Sequence, residues 1–478
     1  MKVLFVVSEC APLIKAGGLG DVASSLPKTL KDLGVDVSIV LPFYKPIKIK
    51  KPILVKRNAK INFFGKEEKF NIWKVHILKK KIPVFLIEHK KYISSGGVYI
   101  ESDASSGGSL SEAERFLFFS LAALEVANFK KASILHCHDW HVAIIPYLVK
   151  TQGLPFKTLL TIHNLAYQGQ YPASLINKIF KTNFKGRVNC LELGILNADI
   201  INTVSPTYAK EILTKKFGFG LEKVLRKRKK DLYGILNGLD EDIWDPKIDK
   251  FIVQNYSWED LDKKIENKKY LLKKLFYRPD FEKPVISIIS RLAMQKGIDL
   301  IEKIFSNLLK ENIYFIVLGK GHKRYENFFL KMEKRYPKMV KANILFDERL
   351  AHQIYAGSDI FLMPSFFEPC GLGQQISMKY GTVVVARAVG GIKDTIKNAK
   401  VPPAGRAGKI QKSKLIVEGE GFLFEKYNPK EFLKEIKRAL KFYQNKEIWQ
   451  KIQQNGMKKD FSWRKSAKEY LKLYKKLR

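Results

Sequence analysis

The run Val3-Leu4-Phe5-Val6-Val7, the loop Lys15-Ala16-Gly17-Gly18-Leu19-Gly20-Asp21 and the run Val35 to Leu41 decide the fold. A short β-branched run predicts a buried strand, and a cluster of glycines after it predicts a tight turn. The stretch from about Asp21 to Leu33 carries apolar residues at helical spacing, and Val35 to Leu41 reads as the next strand. Strand, turn, helix, strand is a βαβ unit, and its two strands lie parallel.

The same rhythm continues. Asn71 to Leu78 and Ile82 to Glu88 read as a hairpin, Glu112 to Asn128 as a helix, and Ile134 to Cys137 and Thr158 to Ile162 as strands. After a charged helical stretch, Glu259 to Phe276, it restarts with strand candidates Val285 to Ser290, Ile313 to Leu318, Asn343 to Phe346, Ile360 to Met363 and Thr382 to Ala386. The expectation is an α/β protein with two Rossmann-like, doubly wound parallel-sheet domains facing a deep cleft. The boundaries expected are residues 1–245 for the first domain and 246–458 for the second. Terminal helices are read at Pro429 to Leu440, Ile448 to Met457 and Ser466 to Leu477, with residues 459–478 packing back on the first domain.

Composition agrees with a globular chain of several domains: 478 residues, 46% hydrophobic and 12% aromatic supply large cores and exclude wholesale disorder. Against 47 acidic residues stand 86 Lys and Arg, a formal charge of +39. Such an excess attracts polyanions of every kind. No nucleic-acid motif accompanies it, so runs such as Arg226-Lys227-Arg228-Lys229-Lys230 are read as solvated surface. Cys10, Cys137, Cys190 and Cys370 are scattered without a CxxC pair, which argues against a disulfide framework or a zinc site and for a reducing compartment. The apolar run after Met1-Lys2 is too short for a secretory signal, and none approaches the ~20 residues that span a bilayer. A soluble, cytoplasmic protein is expected.

Ligands of open parallel sheets sit beyond the carboxyl ends of the strands, and the chemistry-bearing motifs cluster after strands. In Lys15 to Asp21 three glycines allow close backbone approach, a helix start offers N–H groups, and Lys15 adds a cation, which together suit a diphosphate. The loop is neither GxGxxG nor a Walker A sequence. Gly319-Lys320-Gly321-His322 is a weaker echo of it. Ser290-Arg291-Leu292 with Gln295-Lys296-Gly297 sets two cations at a strand mouth, where they can neutralise a phosphate leaving group. His136-Cys137-His138-Asp139-Trp140-His141 superficially resembles a metal cluster. On a strand, however, His136 and His138 share a face opposite Cys137, and no further ligand pair stands at zinc spacing. Asp139 and His163, each at a strand end, are expected to face the cleft, Asp139 as an acceptor for hydroxyls. Glu368, in Phe366-Phe367-Glu368-Pro369-Cys370-Gly371-Leu372, is a carboxylate ahead of a helix start, suited to holding sugar hydroxyls or assisting charge separation.

In order and spacing, Lys15-x-Gly-Gly-Leu-Gly-Asp-Val22, His138-Asp-Trp-His141, Thr161-x-His-Asn-Leu-Ala-Tyr-Gln-Gly169 and Thr203-Val-Ser-Pro-Thr-Tyr-Ala-Lys-Glu211 resemble bacterial glycogen synthases. Gly234-Ile-Leu-Asn-Gly238, Glu368-Pro-Cys-Gly-Leu372 and Lys379-Tyr-Gly381 extend the likeness through the carboxyl half. The resemblance implies a GT-B fold and retaining transfer of glucose from ADP-glucose to the non-reducing end of an α-1,4-glucan such as glycogen, with no cofactor and no metal. It implies that Lys15, Arg291 and Lys296 bind the ADP phosphates and that Glu368 and His163 surround the transferred glucose. Glu368, His163, Arg291 and Lys296 are then the catalytic set. Gly17, Gly18, Asp21, Asp139, Asn237, Cys370, Gly371 and Leu372 would line the substrate site, and Phe346 falls where the family sets an aromatic ring over adenine. Gly373 stands where the family usually has a hydroxyl residue, and Tyr99 lies in a segment that matches the family pattern loosely. Two alternatives stay open: a GT-B enzyme using UDP-glucose or another acceptor, and a non-catalytic glucan or polyanion binder of the same fold. Neither a specific nucleic-acid partner nor a membrane is expected.

Overall fold

A computed structural model describes residues 1–77, 82–98, 110–401 and 416–478; Leu78 and Tyr99 fall outside them. The chain divides into two compact units, one of Met1–Gly238 with Trp463–Arg478 and one of Leu239–Ser462.

The first unit is built on a nine-stranded sheet. Its strands are β1 (Lys2–Val6), β2 (Asp36–Pro42), β3 (Ile53–Phe63), β4 (Lys66–Ile77), β5 (Ile82–Glu88), β6 (Ile134–His138), β7 (Lys157–Ile162), β10 (Ile200–Thr203) and β11 (Leu232–Gly234), and β8 (Gln170–Pro172) with β9 (Arg187–Asn189) forms a separate ribbon. The order is β11-β10-β7-β6-β1-β2-β5-β4-β3. All neighbours are parallel except β3 with β4 and β4 with β5. The expected hairpin is present. β3 went unread because its burial alternates with exposed Lys56, Arg57 and Asn58, a half-solvated edge rather than an apolar run. Helix Gly18–Asp32 follows β1 and buries Val22, Ala23, Leu26 and Leu30.

The C-terminal helix Trp463–Lys476 packs within this unit, burying Trp463, Ala467, Tyr470, Leu473 and Tyr474 in the same cluster as Val3, Phe5 and Val22. It also closes a polar chain under the sheet. The Thr161 hydroxyl donates to Asn202 Oδ1, so it accepts from His136 Nε2 at 2.6 Å. His136 Nδ1 is then bare and accepts from the Tyr474 hydroxyl at 2.8 Å, while Asn202 Nδ2 donates to Tyr470 at 3.1 Å. These four bonds pair buried donors with buried acceptors, which is what makes a polar core tolerable. Arg228, expected as ordinary surface, instead donates to the carbonyls of Ile195 and Ala198 and to Asp231.

The second unit has six parallel strands in the order β14-β13-β12-β15-β16-β17: β12 (Val285–Ile289), β13 (Tyr314–Leu318), β14 (Val340–Asn343), β15 (Ile360–Met363), β16 (Val383–Arg387) and β17 (Gly421–Phe424). The strand expected at Asn343 to Phe346 is displaced. Pairing with β13 ends at Asn343, so Phe346 belongs to the loop beyond. At the opposite end of the sheet Lys268 pairs with Asp359 at 2.8 Å, both almost wholly buried. Segment 239–256 is clasped by a second buried cluster. There Asp249 accepts from Tyr380 at 2.6 Å and meets His352 Nδ1 at 2.7 Å, and Trp244 stacks on His352 at 3.9 Å.

Replacing Tyr474 with Phe keeps the packing and removes the one donor to His136 Nδ1. We expect Tyr474→Phe to lose about 1–3 kcal/mol of stability, read as a lowered midpoint in urea unfolding. An unchanged midpoint shows that the His136 chain does not depend on the terminal helix.

Candidate functional site

In each unit the singled-out residues follow the carboxyl ends of the parallel strands. Within the first unit the loop after β1 carries Lys15, whose Nζ pairs with Asp21 at 2.7 Å, both partly in water. The free anion cradle expected of its amides is not what the loop contains. The N–H groups of Ala16 and Gly17 both donate to Oε2 of Glu9, at 2.7 Å for Gly17, and Glu9 is 3% exposed. Burial, foremost, raises the Glu9 carboxyl above its ordinary range, against the lowering effect of those two amides. The glycine turn after β13 behaves likewise, since Gly321 N–H donates to the buried Glu326 at 2.9 Å.

Asp139 ends β6 with φ 60° and ψ −177°, a region essentially reserved for glycine and costing roughly 1–3 kcal/mol. The surroundings over-determine it. Its N–H donates to Thr161 O at 2.9 Å, and its Oδ1 accepts from the N–H of His163 at 2.7 Å and of Asn164 at 3.3 Å. Asp139 thus serves the backbone that carries His163, where a sugar-hydroxyl acceptor was expected. Desolvation raises its carboxyl to about 7 despite those two bonds. His163 is half-buried, and desolvation takes the imidazole down to about 3. His163 Nε2 meets Nδ1 of buried His138 at 2.9 Å. The rings of His136 and His138 lie side by side, tilted by 33° with centroids 4.1 Å apart, and Cys137 belongs to the core cluster on the other face, as the strand periodicity requires. Among the described residues no group of three or more His, Cys, Asp or Glu is arranged to hold a metal ion.

Within the second unit Lys296 Nζ lies 2.6 Å from Oε2 of Glu368, which also accepts from Ser365 Oγ at 3.0 Å. Glu368 is 4% exposed, so this is a desolvated ion pair rather than the helix-dipole contact expected. The helix that follows starts only at Gly373. Gly297 fixes the turn that delivers Lys296. It sits at φ 73°, and a Cβ there would come within 2.1 Å of Pro364 O. The loop bearing Glu368 is held from below. Arg387, 5% exposed, donates to the carbonyls of Ser365 and Phe366, and Gly391 N–H donates to Glu368 O at 3.1 Å. Arg291 is exposed, with Nη2 3.2 Å from Gln295 Oε1. Phe346 is 82% exposed. Cys370 is buried, and its carbonyl accepts from Gln374 at 2.9 Å.

Residues 2–227 match the starch synthase catalytic domain family and residues 276–459 the glycosyl transferases group 1 family. A glycogen synthase of Kosmotoga olearia is 43% identical over 99% of this chain and 98% of its own length, and one of Thermotoga maritima is 41% identical over 100% and 99%. The chain belongs to the glycogen synthase family. The solved catalytic domain of starch synthase IV from Arabidopsis thaliana, bound to ADP and acarbose, matches with a TM-score of 0.87 at 32% identity over 99% of each chain. Sucrose-phosphate synthase from Thermosynechococcus elongatus, at 15% identity and a TM-score of 0.61, shares the fold. This is the GT-B architecture of glycosyltransferases, and the chain is a glycosyltransferase of glycogen biosynthesis. Membership was legible in the motifs. Glu9, Ser365 and Arg387 were not, because nothing in their local sequence tells which way the side chain turns.

Folded Asp139 binds a proton up to about pH 7, whereas an unfolded Asp releases it near pH 4. Between these values the folded chain holds more protons, so this carboxyl removes stability as pH rises, by at most about 1.4 kcal/mol per pH unit. Asn keeps the acceptor and lacks the titration. The thermal midpoint of Asp139→Asn should therefore gain on wild type from pH 5 to pH 8; a constant difference shows that Asp139 titrates as an ordinary carboxyl.

Proposed function

We propose that this protein elongates α-1,4-glucan by transferring glucose from ADP-glucose to the non-reducing end, with retention at the anomeric carbon and no metal. The observation that carries the site assignment is the Lys296–Glu368 pair at 2.6 Å beside the Arg291 turn. It joins the Lys296 cation to a buried carboxylate beyond the ends of β12 and β15, with Arg291 exposed on the turn that carries Lys296, in a chain 43% identical to a glycogen synthase.

The bond that breaks joins the glucose anomeric carbon to a diphosphate oxygen, and negative charge grows on that oxygen. Arg291 and Lys296 offset it as preorganised donors; we assign Lys15 to the same diphosphate. Glu368 and His163 serve the transferred glucose. Neutral at working pH, as its low pKa requires, His163 acts by hydrogen bonding rather than by charge. The acceptor hydroxyl attacks from the face the diphosphate leaves, and its proton passes to the departing phosphate oxygen, so no protein nucleophile is needed. Phe346, with its ring exposed past β14, offers a face for the adenine. Asp21, Asn237, Gly371 and Leu372 complete the assignment. Four free, buried cysteines support a reducing, cytoplasmic setting. Among the described residues no helix is long and apolar enough to cross a membrane.

Labelled glucose followed from ADP-glucose into glycogen, with and without chelator, tests the reading. Transfer should survive chelation and exceed that from UDP-glucose; preference for UDP-glucose overturns the donor, and loss on chelation overturns the metal-free step. Arg291→Ala should reduce kcat/KM by roughly 30-fold or more, about 2 kcal/mol of transition-state stabilisation, and Glu368→Ala should remove most turnover. A change of only a few-fold in either variant takes that residue out of the chemistry.

A further inference from the structure

The three glycines after Lys15 are not equivalent. A Cβ at Gly17 would stand 3.3 Å from Glu9 Oε1, and one at Gly20 would stand 3.3 Å from Glu9 Oε2 and 3.2 Å from Lys15 Cγ. A Cβ at Gly18 would meet nothing within 4 Å, and the backbone there is not in the left-handed region. Two glycines are therefore accounted for by the chain's own carboxylate and lysine stem. The third is not required by anything packed against it. Alanine is the better helix former, and Gly18 opens helix Gly18–Asp32, so local stability alone would favour a side chain there.

We propose that Glu9 is a positioning residue: its buried carboxylate occupies the Ala16 and Gly17 amides and builds the loop on which Lys15 and Gly18, expected at the substrate site from the family resemblance, meet the donor's diphosphate. Glu9 touches no substrate in this scheme and acts through the loop. Gly17 and Gly20 admit Glu9, and Gly18 admits the ligand. The assignment rests on the proposed role of Lys15 at the donor diphosphate.

The test uses the full chain in two arms. Hydrogen exchange over residues 10–22 reads the loop without any donor. Protection should be lost in Glu9→Ala and retained in Glu9→Gln, whose amide oxygen can accept from the same two N–H groups; equal protection in Glu9→Ala and wild type overturns the brace. Kinetics with ADP-glucose and glycogen reads the consequence. Glu9→Ala should raise the donor KM at least tenfold with the glycogen KM unchanged, and Glu9→Gln should restore most of it. Gly18→Ala, which meets no neighbour, should melt at or above the wild-type temperature and still raise the donor KM at least tenfold. A donor KM at the wild-type value in Gly18→Ala, or in Glu9→Ala after its loop has lost protection, overturns the proposal. If wild type transfers nothing from ADP-glucose, the functional reading fails instead, and the exchange arm still decides whether Glu9 builds the loop.

Discussion

A charge withheld from water has to be matched by something else in the fold, and the functional loops are arranged around that constraint. Glu368 is 4% exposed and has Lys296 and Ser365 within 3.0 Å. Removing one member of such a pair costs roughly 3–5 kcal/mol because the other is left buried alone. Glu9 is matched differently, by two backbone amides, and Glu326 repeats that solution at the turn after β13. In both glycine turns a glutamate of the chain holds amides that the bare sequence pattern would offer to a ligand. The rule extends away from the site, to Lys268 with Asp359 and to Asp249 with His352 and Tyr380.

How much of this was legible depends on what kind of signal each feature leaves. Strands buried on both faces read as continuous apolar runs, so β1, β2, β7, β12, β13, β15 and β16 were found within a residue or two. β3 was lost because it alternates at an edge, and β10 (Ile-Ile-Asn-Thr), β11 (Leu-Tyr-Gly) and β17 (Gly-Phe-Leu-Phe) include polar residues or glycine and so lack the unbroken apolar run of the equally short β15. Phe346 was placed on a strand because Asn343 to Phe346 is apolar toward its end, yet the pairing that defines β14 runs the other way, from Val340 to Asn343. The site divides along the same line. Cations, glycines and histidines that follow strand ends announce themselves, and Lys296 and Glu368, 72 positions apart in sequence, do meet. The braces do not announce themselves. Arg387 holds the Glu368 loop through two carbonyls, and nothing in Ala386-Arg387-Ala388 says that the guanidinium turns inward.

Asp139 shows that strand position reveals where a side chain stands and not which main-chain groups it will meet. Strand position put it at the end of β6, facing the loops. It did not reveal that the adjoining strand's exit would present two N–H groups, of His163 and Asn164, at 2.7 and 3.3 Å. Register between β6 and β7 decides that, and register is a tertiary property. Once the amides are there, Oδ1 of the carboxylate is committed to them. The strained backbone at φ 60° is the geometric cost of aiming Asp139 at its neighbour's main chain.

The two proposed phosphate lysines differ in how firmly their present partners hold them. Lys15 and Asp21 retain 35% and 26% side-chain exposure, and an ion pair so open to solvent contributes no more than about 0–1 kcal/mol. An anion competing for Lys15 therefore displaces little, since water takes over Asp21 at almost no cost. Lys296 and Glu368, at 21% and 6%, have no such reserve. A diphosphate that drew Lys296 away would compensate the lysine and leave the Glu368 carboxylate buried with only the Ser365 hydroxyl, beside a second anion. Lys296 therefore meets a diphosphate at least cost while it keeps Glu368, bridging the two anions with separate N–H donors of its ammonium group. The burial of Glu368 thereby opposes exchange at Lys296, whereas the exposed pair at Lys15 permits it.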